Sequence, residues 1–214
     1  MEIFNKIAKT IEEGDDERIL ALINEALSRK TSASDILNQG MLAGMKVVGV
    51  QFKNHDIFLP DVLLAAKAMH AGVELIKPEL LKAGKTFGSR KVVLGTVGGD
   101  VHDIGKNLVG IMLQGAGFSI VDLGKDVPLE KFIEAVERES PMVLGMSAML
   151  TTTMPEMKKV IDRLKEKGLT KKTRIIVGGA PVSKDYSREI RADGYARDAS
   201  QAVERISQLV GAGS

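Results

Sequence analysis

Asp100 and His102 stand two residues apart in the run Gly98-Gly99-Asp100-Val101-His102-Asp103-Ile104-Gly105. An imidazole nitrogen can ligate a metal. A carboxylate two residues away can accept the proton on the other ring nitrogen, which fixes the tautomer and raises the basicity of the ligand. The same pair is also an ordinary packing solution, a histidine satisfied by a neighbouring aspartate, and spacing alone leaves both readings open. Asp103 adds a second carboxylate, or simply begins a helix, whose N-terminus favours negative charge. A zinc site needs three or four ligands. The chain has three histidines, and the other two, His55 and His70, lie in its first half. It has no cysteine, which excludes disulfides, thiolate metal sites and cysteine nucleophiles. The glycines here do not form the G-x-G-x-x-G of a dinucleotide loop, and no G-K-[ST] follows.

Other residues carry weaker local signals. Phe58 and Leu59, ahead of Pro60, can staple the start of a helix. Ser147 can cap a strand end, and Gly178-Gly179 can form a turn. Met142, Met146, Met149, Met154 and Met157 recur at the spacing of core filler rather than of a copper site. Thr151-Thr152-Thr153 frames a loop. Lys106 and Asn107, near a helix start, offer a phosphate contact as one option. His55-Asp56 reads as a surface turn.

Two kinds of element must position these residues. Residues 1–83 read as helix. Ile3, Ile7 and Ile11 recur every four residues, and Gly14 interrupts them. Ile19, Leu20, Leu22, Ile23, Ala26 and Leu27 form a second stripe. Ser32 or Ser34 caps a third helix carrying Ile36, Leu37, Met41, Met45 and Val48. A fourth begins with Pro60 at its first position and runs to about Leu81, with Val62, Leu63, Ala66, Met69, Val73 and Ile76 inward. Short connections between amphipathic helices predict a four-helix bundle. The polar, glycine-containing stretch 84–90 reads as a linker. From 91 to 214 short apolar runs alternate with helices. Strands are expected at 91–97, 118–121, 143–147, 174–177 and near 194–195. Helices are expected at 105–116, 129–139, 154–167 and 199–210. Such alternation predicts an α/β, flavodoxin-like, doubly wound parallel five-stranded sheet, whose ligands bind at the carboxyl ends of the strands. The Asp100–His102 loop follows the first of these strands.

The combination of motifs is far more specific than any one of them. Asp100-Val101-His102-Asp103-Ile104-Gly105 matches the D-x-H-x-x-G signature of cobalamin-binding domains. Ser147-Ala148-Met149 stands where that family has S-x-L, and Gly178-Gly179 where it has paired glycines. Phe58-Leu59-Pro60 resembles the F-L-P segment of the helical cap in methyl-transferring members. The chain thus resembles, over nearly its whole length, the corrinoid proteins of methylamine, methanol and related methyltransferase systems. It is also similar to the cobalamin-binding module of methionine synthase.

The resemblance implies roles. His102 would displace the cofactor's own base and bind cobalt from below, with Asp100 and Thr153 completing a proton relay. Many methionine-synthase-type relatives have serine at the position of Thr153. The displaced nucleotide tail would enter a slot kept open by Ser147, Gly178 and Gly179, with Asp103, Ile104, Gly105, Met149, Leu150 and Thr151 around it. Met149 replaces the usual leucine at similar volume. Tyr195 and Ala196 would lie near the nucleotide. Phe58 and Leu59 would shield the upper face. The cofactor would be a cobalamin or other corrinoid, passing through methylcobalamin, hydroxocobalamin and Co(I) forms. The implied protein is a methyl carrier with no turnover of its own. Its implied partners are a substrate-specific methyltransferase, a second methyltransferase serving tetrahydrofolate or a thiol, and a reductive activase. The methyl donor would be chosen by the partner's active site. The small subunit of an adenosylcobalamin-dependent mutase shares the motifs but usually lacks the helical cap. A B12-responsive sensor would add a DNA-binding region, and no segment is left over for one.

Composition narrows the remaining classes. Net charge is +2 without a block of like charge, aromatics are 4% and tryptophan is absent, so nucleic acid is not an expected partner. No apolar stretch approaches the roughly 20 residues that span a bilayer, and a cytoplasmic location is expected.

Overall fold

A computed structural model describes residues 2–83 and 90–211. All of the expected linker except Arg90 lies outside these residues. The described chain divides into two compact units, one of 2–83 with 114–118, the other of 90–113 and 119–211.

In the helical unit α1 (Glu2–Glu13) buries Ile7, Thr10 and Ile11, one face of a 3.6-residue period. Gly14 follows at φ +69°, where a Cβ would meet Leu64 Cβ at 2.5 Å. Asp15 caps α2 (Asp16–Ser28) by accepting the Arg18 N–H at 2.8 Å. Ser32 caps the next segment in the same way, through the Asp35 N–H. The third helix is not one regular helix as expected. A short α3 (Ala33–Asp35) passes into a π-helical turn (Ile36–Met41) and then α4 (Leu42–Lys53). The wide turn buries Ile36, Leu37, Gly40 and Met41 together. A Cβ at Gly40 would meet Ile7 Cγ2 at 2.7 Å, and one at Gly44 the Ala8 carbonyl at 2.5 Å. The two glycines thus let α1 lie close against this helix.

In α5 (Leu59–Lys82) Pro60 occupies the second helical position, not the first, and Asp61 accepts the Phe58 N–H at 2.8 Å. Its buried stripe is Val62, Ala65, Ala68, Met69, Gly72, Val73, Ile76 and Leu80. Leu63, expected inward, is 44% exposed. It sits one residue, about 100° of helical turn, off that stripe.

The second unit is a five-stranded sheet in the order β2-β1-β3-β4-β5, every pair parallel. The strands are β1 (Lys91–Thr96), β2 (Ser119–Asp122), β3 (Val143–Ser147), β4 (Arg174–Gly178) and β5 (Gly194–Ala196). The helices are α6 (Ile104–Gly115), α7 (Leu129–Glu139), α8 (Met154–Glu166), α9 (Lys184–Glu189) and α10 (Ala199–Gly211). Sequence periodicity had no signal for the short α9. One face of the sheet packs Val93, Leu144, Met146, Ile175 and Val177 against Phe132, Ile133, Val160, Ile161 and Leu164 of α7 and α8. Alternation along the strands sends their other residues to the opposite face. There Thr96, Ser147, Gly178 and Ala196 form one row across four strands, and Leu94, Gly145, Ile176 and Gly194 form the row behind it. Because β2 and β3 flank β1 on opposite sides, the connections after β1 and β3 diverge, which opens a crevice at that point.

Candidate functional site

Asp100 lies at the centre of that crevice, fully buried. Its Oδ1 accepts the His102 N–H at 3.0 Å and faces His102 Nδ1 at 2.9 Å. Its Oδ2 accepts the Met149 N–H at 2.7 Å, the Leu150 N–H at 3.2 Å and the Thr153 hydroxyl at 2.7 Å. Burial by itself would raise the pKa of this carboxyl. The Met149 N–H, the Thr153 hydroxyl, and the His102 N–H and ring outweigh it and hold it well below the usual carboxylate range. An ionised carboxylate only accepts, so His102 Nδ1 must carry the proton. The lone pair is then on Nε2, on a side chain that is 51% exposed. The burial of one partner and the exposure of the other make a metal-ready imidazole out of a common pair.

Around His102 the surface is apolar. Val101, Ile104, Met149 and Leu150 are 57%, 77%, 49% and 41% exposed. They cluster because Val101 and Ile104 flank the histidine in the chain, while the backbone of Met149 and Leu150 is tied to the same Asp100. Large apolar side chains gathered in the open mark a binding surface.

Beside this rim a cleft of about 620 Å³ runs down the sheet face. Asp103, Ile104, Gly105, Ser147, Met149, Gly178, Gly179 and Ala196 line it together with His102. Gly179 has φ +119°, and a Cβ there would collide with the Ala148 carbonyl. A Cβ at Gly178 would meet the Ala196 carbonyl at 2.7 Å. Thr153 is buried behind Asp100, at the place the relay requires. Three of the expected cofactor residues do not line the cleft: Leu150 is on the apolar rim, Thr151 is exposed on the loop, and Tyr195 packs on the core of the other sheet face. Alternation explains Tyr195: its neighbour Ala196 takes the cleft side. Phe58 and Leu59 are exposed at the start of α5, 70% and 37%.

Several contributors escaped the sequence reading. Thr96, fully buried, shares a hydrogen bond with Ser147 at 2.9 Å. Asp126, at φ +51°, accepts the Gly99 N–H through its carboxylate at 2.6 Å and donates its own N–H to the Asp100 carbonyl at 2.9 Å. It thus pins the ligand loop from the turn after β2. A hydroxyl residue at the end of the apolar run that follows Lys91 in KVVLGT was the available hint for Thr96. Asp126 had none, because its partners lie 27 and 26 residues back. Lys106 does line the cleft, but its ammonium sits 2.6 Å from both Asp122 carboxylate oxygens and from Asn107 Oδ1, which commits it to an internal ion pair rather than to a phosphate.

A helical unit, a parallel-sheet unit and an imidazole presented at the switch point beside an apolar rim define a binder of a large cofactor. The family model for a B12 binding domain matches residues 90–204, and a second B12 binding domain model matches residues 3–77. A corrinoid protein of Desulfitobacterium hafniense strain Y51 is 38% identical over 99% of both chains. Trimethylamine corrinoid protein 1 of Methanosarcina mazei is 41% identical over 96% of this chain and 95% of its own. Among solved structures, the methanol:cobalamin methyltransferase complex of Methanosarcina barkeri superposes with a TM-score of 0.88 at 34% identity, over 100% of this chain and 81% of that one. The chain belongs to the B12-binding family of corrinoid proteins.

The residues present fit a corrinoid. The exposed imidazole has its ligating nitrogen defined, the apolar rim suits a flat macrocycle, and the cleft is lined by Gly178 and Gly179, where a Cβ would meet neighbouring backbone.

Proposed function

We propose that this chain is the methyl-carrying subunit of a corrinoid-dependent methyltransferase system, without turnover of its own. A corrinoid bound here supplies a cobalt centre that takes up a methyl group when reduced and yields it to a nucleophile. His102 Nε2 would hold the cobalt. Asp100 holds the ring in the Nδ1–H tautomer, and Thr153, Met149 and Leu150 hold Asp100. Val101, Ile104, Met149 and Leu150 cover apolar cofactor surface and exclude water from it. The cleft takes the nucleotide tail that His102 displaces. Phe58 and Leu59, exposed at the start of α5, would be the apolar shield that keeps water from a bound corrinoid. One partner methyltransferase loads the carrier, a second unloads it to a thiol or tetrahydrofolate, and a reductive activase rescues oxidised cobalt.

The observation that carries this reading is the pairing of a fully buried, ionised Asp100 with an exposed His102 at the mouth of a glycine-walled cleft. The match of residues 3–77 to a B12 binding domain supports a carrier over a mutase small subunit. The test is to mix the purified apoprotein with hydroxocobalamin, remove free cofactor and record visible spectra. Wild type should retain one equivalent with a histidine-ligated spectrum, and His102→Ala should lose that spectrum. Failure of the wild type to retain any corrinoid overturns the reading.

A further inference from the structure

The cleft floor is sharply divided between its two rows. The outer row, next to the His102 loop, carries the hydroxyls of Thr96 and Ser147. The inner row offers only Leu94, Gly145, Ile176 and Gly194, whose backbone groups lie within the parallel ladder. Above it Val109 of α6 and Ala202 and Ile206 of α10 add hydrocarbon. Leu94, Ile176, Ala202 and Ile206 are all 5% exposed or less. The inner end therefore presents no uncommitted side-chain donor or acceptor: Lys106, which also lines the cleft, gives its protons to Asp122 and Asn107, and the charged lining residues Asp103, Arg197 and Asp198 stand on the loops at the outer end. On the cleft floor itself the outer row presents one adaptable position. Thr96 and Ser147 have two hydroxyl protons, and one lies in the bond between them. If Thr96 donates to Ser147, the Ser147 proton is free for a ligand. If Ser147 donates to Thr96, whose proton then turns toward the His102 carbonyl at 3.4 Å, the Ser147 oxygen is free to accept.

We propose that this cleft selects among corrinoids by the lower base of the nucleotide tail, taking a benzimidazole-type base in preference to a purine. The proposal rests on the reading that the cleft holds the displaced tail. The cleft runs between the sheet face and Val109, Ala202 and Ile206 of α6 and α10, so the part that enters is the slender tail, and the base is its terminus. A benzimidazole joined through one ring nitrogen has a single polar atom left, its other nitrogen, which Ser147 satisfies. Its remaining edge is hydrocarbon and matches Leu94, Ile176 and Ile206. An adenine in the same place buries further ring nitrogens and an exocyclic amine against those side chains with no partner. Polar groups buried without partners oppose binding, and an apolar pocket discriminates against them by about tenfold to a hundredfold.

The experiment is equilibrium dialysis of the full-length apoprotein against three corrinoids: hydroxocobalamin, its adenine-base counterpart and cobinamide, which has no nucleotide. We expect hydroxocobalamin to bind about tenfold or more tighter than the adenine form. Cobinamide should bind more weakly than hydroxocobalamin. Ala202→Ser, a small change that places a hydroxyl in the cleft roof, should narrow the gap between the two bases. Equal or tighter binding of the adenine form overturns the proposal. Equal binding of cobinamide and hydroxocobalamin also overturns it, because the tail then contributes nothing. Failure to bind all three overturns the cofactor reading instead. The histidine-ligated spectrum should be the same with either base, since His102 lies outside the inner row.

Discussion

At the scale of single residues, the site turns on Asp100. Four backbone or side-chain groups besides the imidazole point protons at it, so the carboxylate is the only ionisation state that satisfies them all. Asp100→Asn places an amide donor against those donors. It should lower the stability of the apoprotein by about 2 kcal/mol in urea unfolding, and release His102 from its fixed tautomer. The pH dependence follows from the sign of the shift. A carboxyl whose folded pKa is depressed contributes stability that is fully present above its unfolded pKa, and loses it as pH falls toward the folded value. The contribution of the Asp100 charge to the gap between wild type and Asp100→Asn should thus shrink below about pH 4. A gap that stays the same as pH falls from about 5 to about 2 would contradict the ionised assignment. Asp126 acts on the same loop through two hydrogen bonds. Asp126→Ala should cost about 1 kcal/mol and reduce the histidine-ligated fraction of bound hydroxocobalamin. Asp126→Asn, which keeps the accepting oxygen, should restore that fraction.

At the scale of elements, the sheet register builds the cleft. Ser147 and Gly178 fall beside Thr96 because β3 lies between β1 and β4 with these residues aligned. Gly179 then turns the chain at a positive φ next to the Ala148 carbonyl. Gly179→Ala combines strained backbone with a direct clash, at a cost of about 1–3 kcal/mol. It should lower the melting temperature of the apoprotein and abolish retention of hydroxocobalamin. Unchanged retention would mean that the glycine pair is an ordinary turn. Periodicity located nearly every helix and strand here, because apolar alternation is a local property. It misplaced Leu63, which a regular stripe and its neighbour position share by composition alone. It also missed the π turn at Ile36–Met41, within which a Cβ at Gly40 would meet Ile7 of α1.

At the scale of the whole molecule, each unit has its own core. The surface ion pairs, such as Lys6–Glu2 at 2.7 Å and Arg29–Glu25 at 2.6 Å, are exposed helical pairs worth a few tenths of a kcal/mol each. No helix among the described residues is long and apolar enough to cross a membrane. A carrier should be inert alone. Cobalamin-loaded protein in its reduced state should demethylate no methylated amine or methanol at a measurable rate until a matching methyltransferase is added. Turnover without one, followed by the appearance of demethylated product, would make the chain an enzyme in its own right.

The sequence by itself determined the two kinds of element, the place of the Asp100–His102 loop after the first strand of the sheet, and the family. These depend on spacings of two to four residues and on contiguous motifs. Only the tertiary structure decided which partners meet beyond those the family motifs imply. Thr96 meets Ser147 across 51 residues, and Asp126 holds Gly99 across 27. Tyr195 turns away from the cleft while its neighbour Ala196 turns toward it. Such pairings follow from strand order and register, which bring distant segments together and assign each side chain a face. No local pattern contains that information.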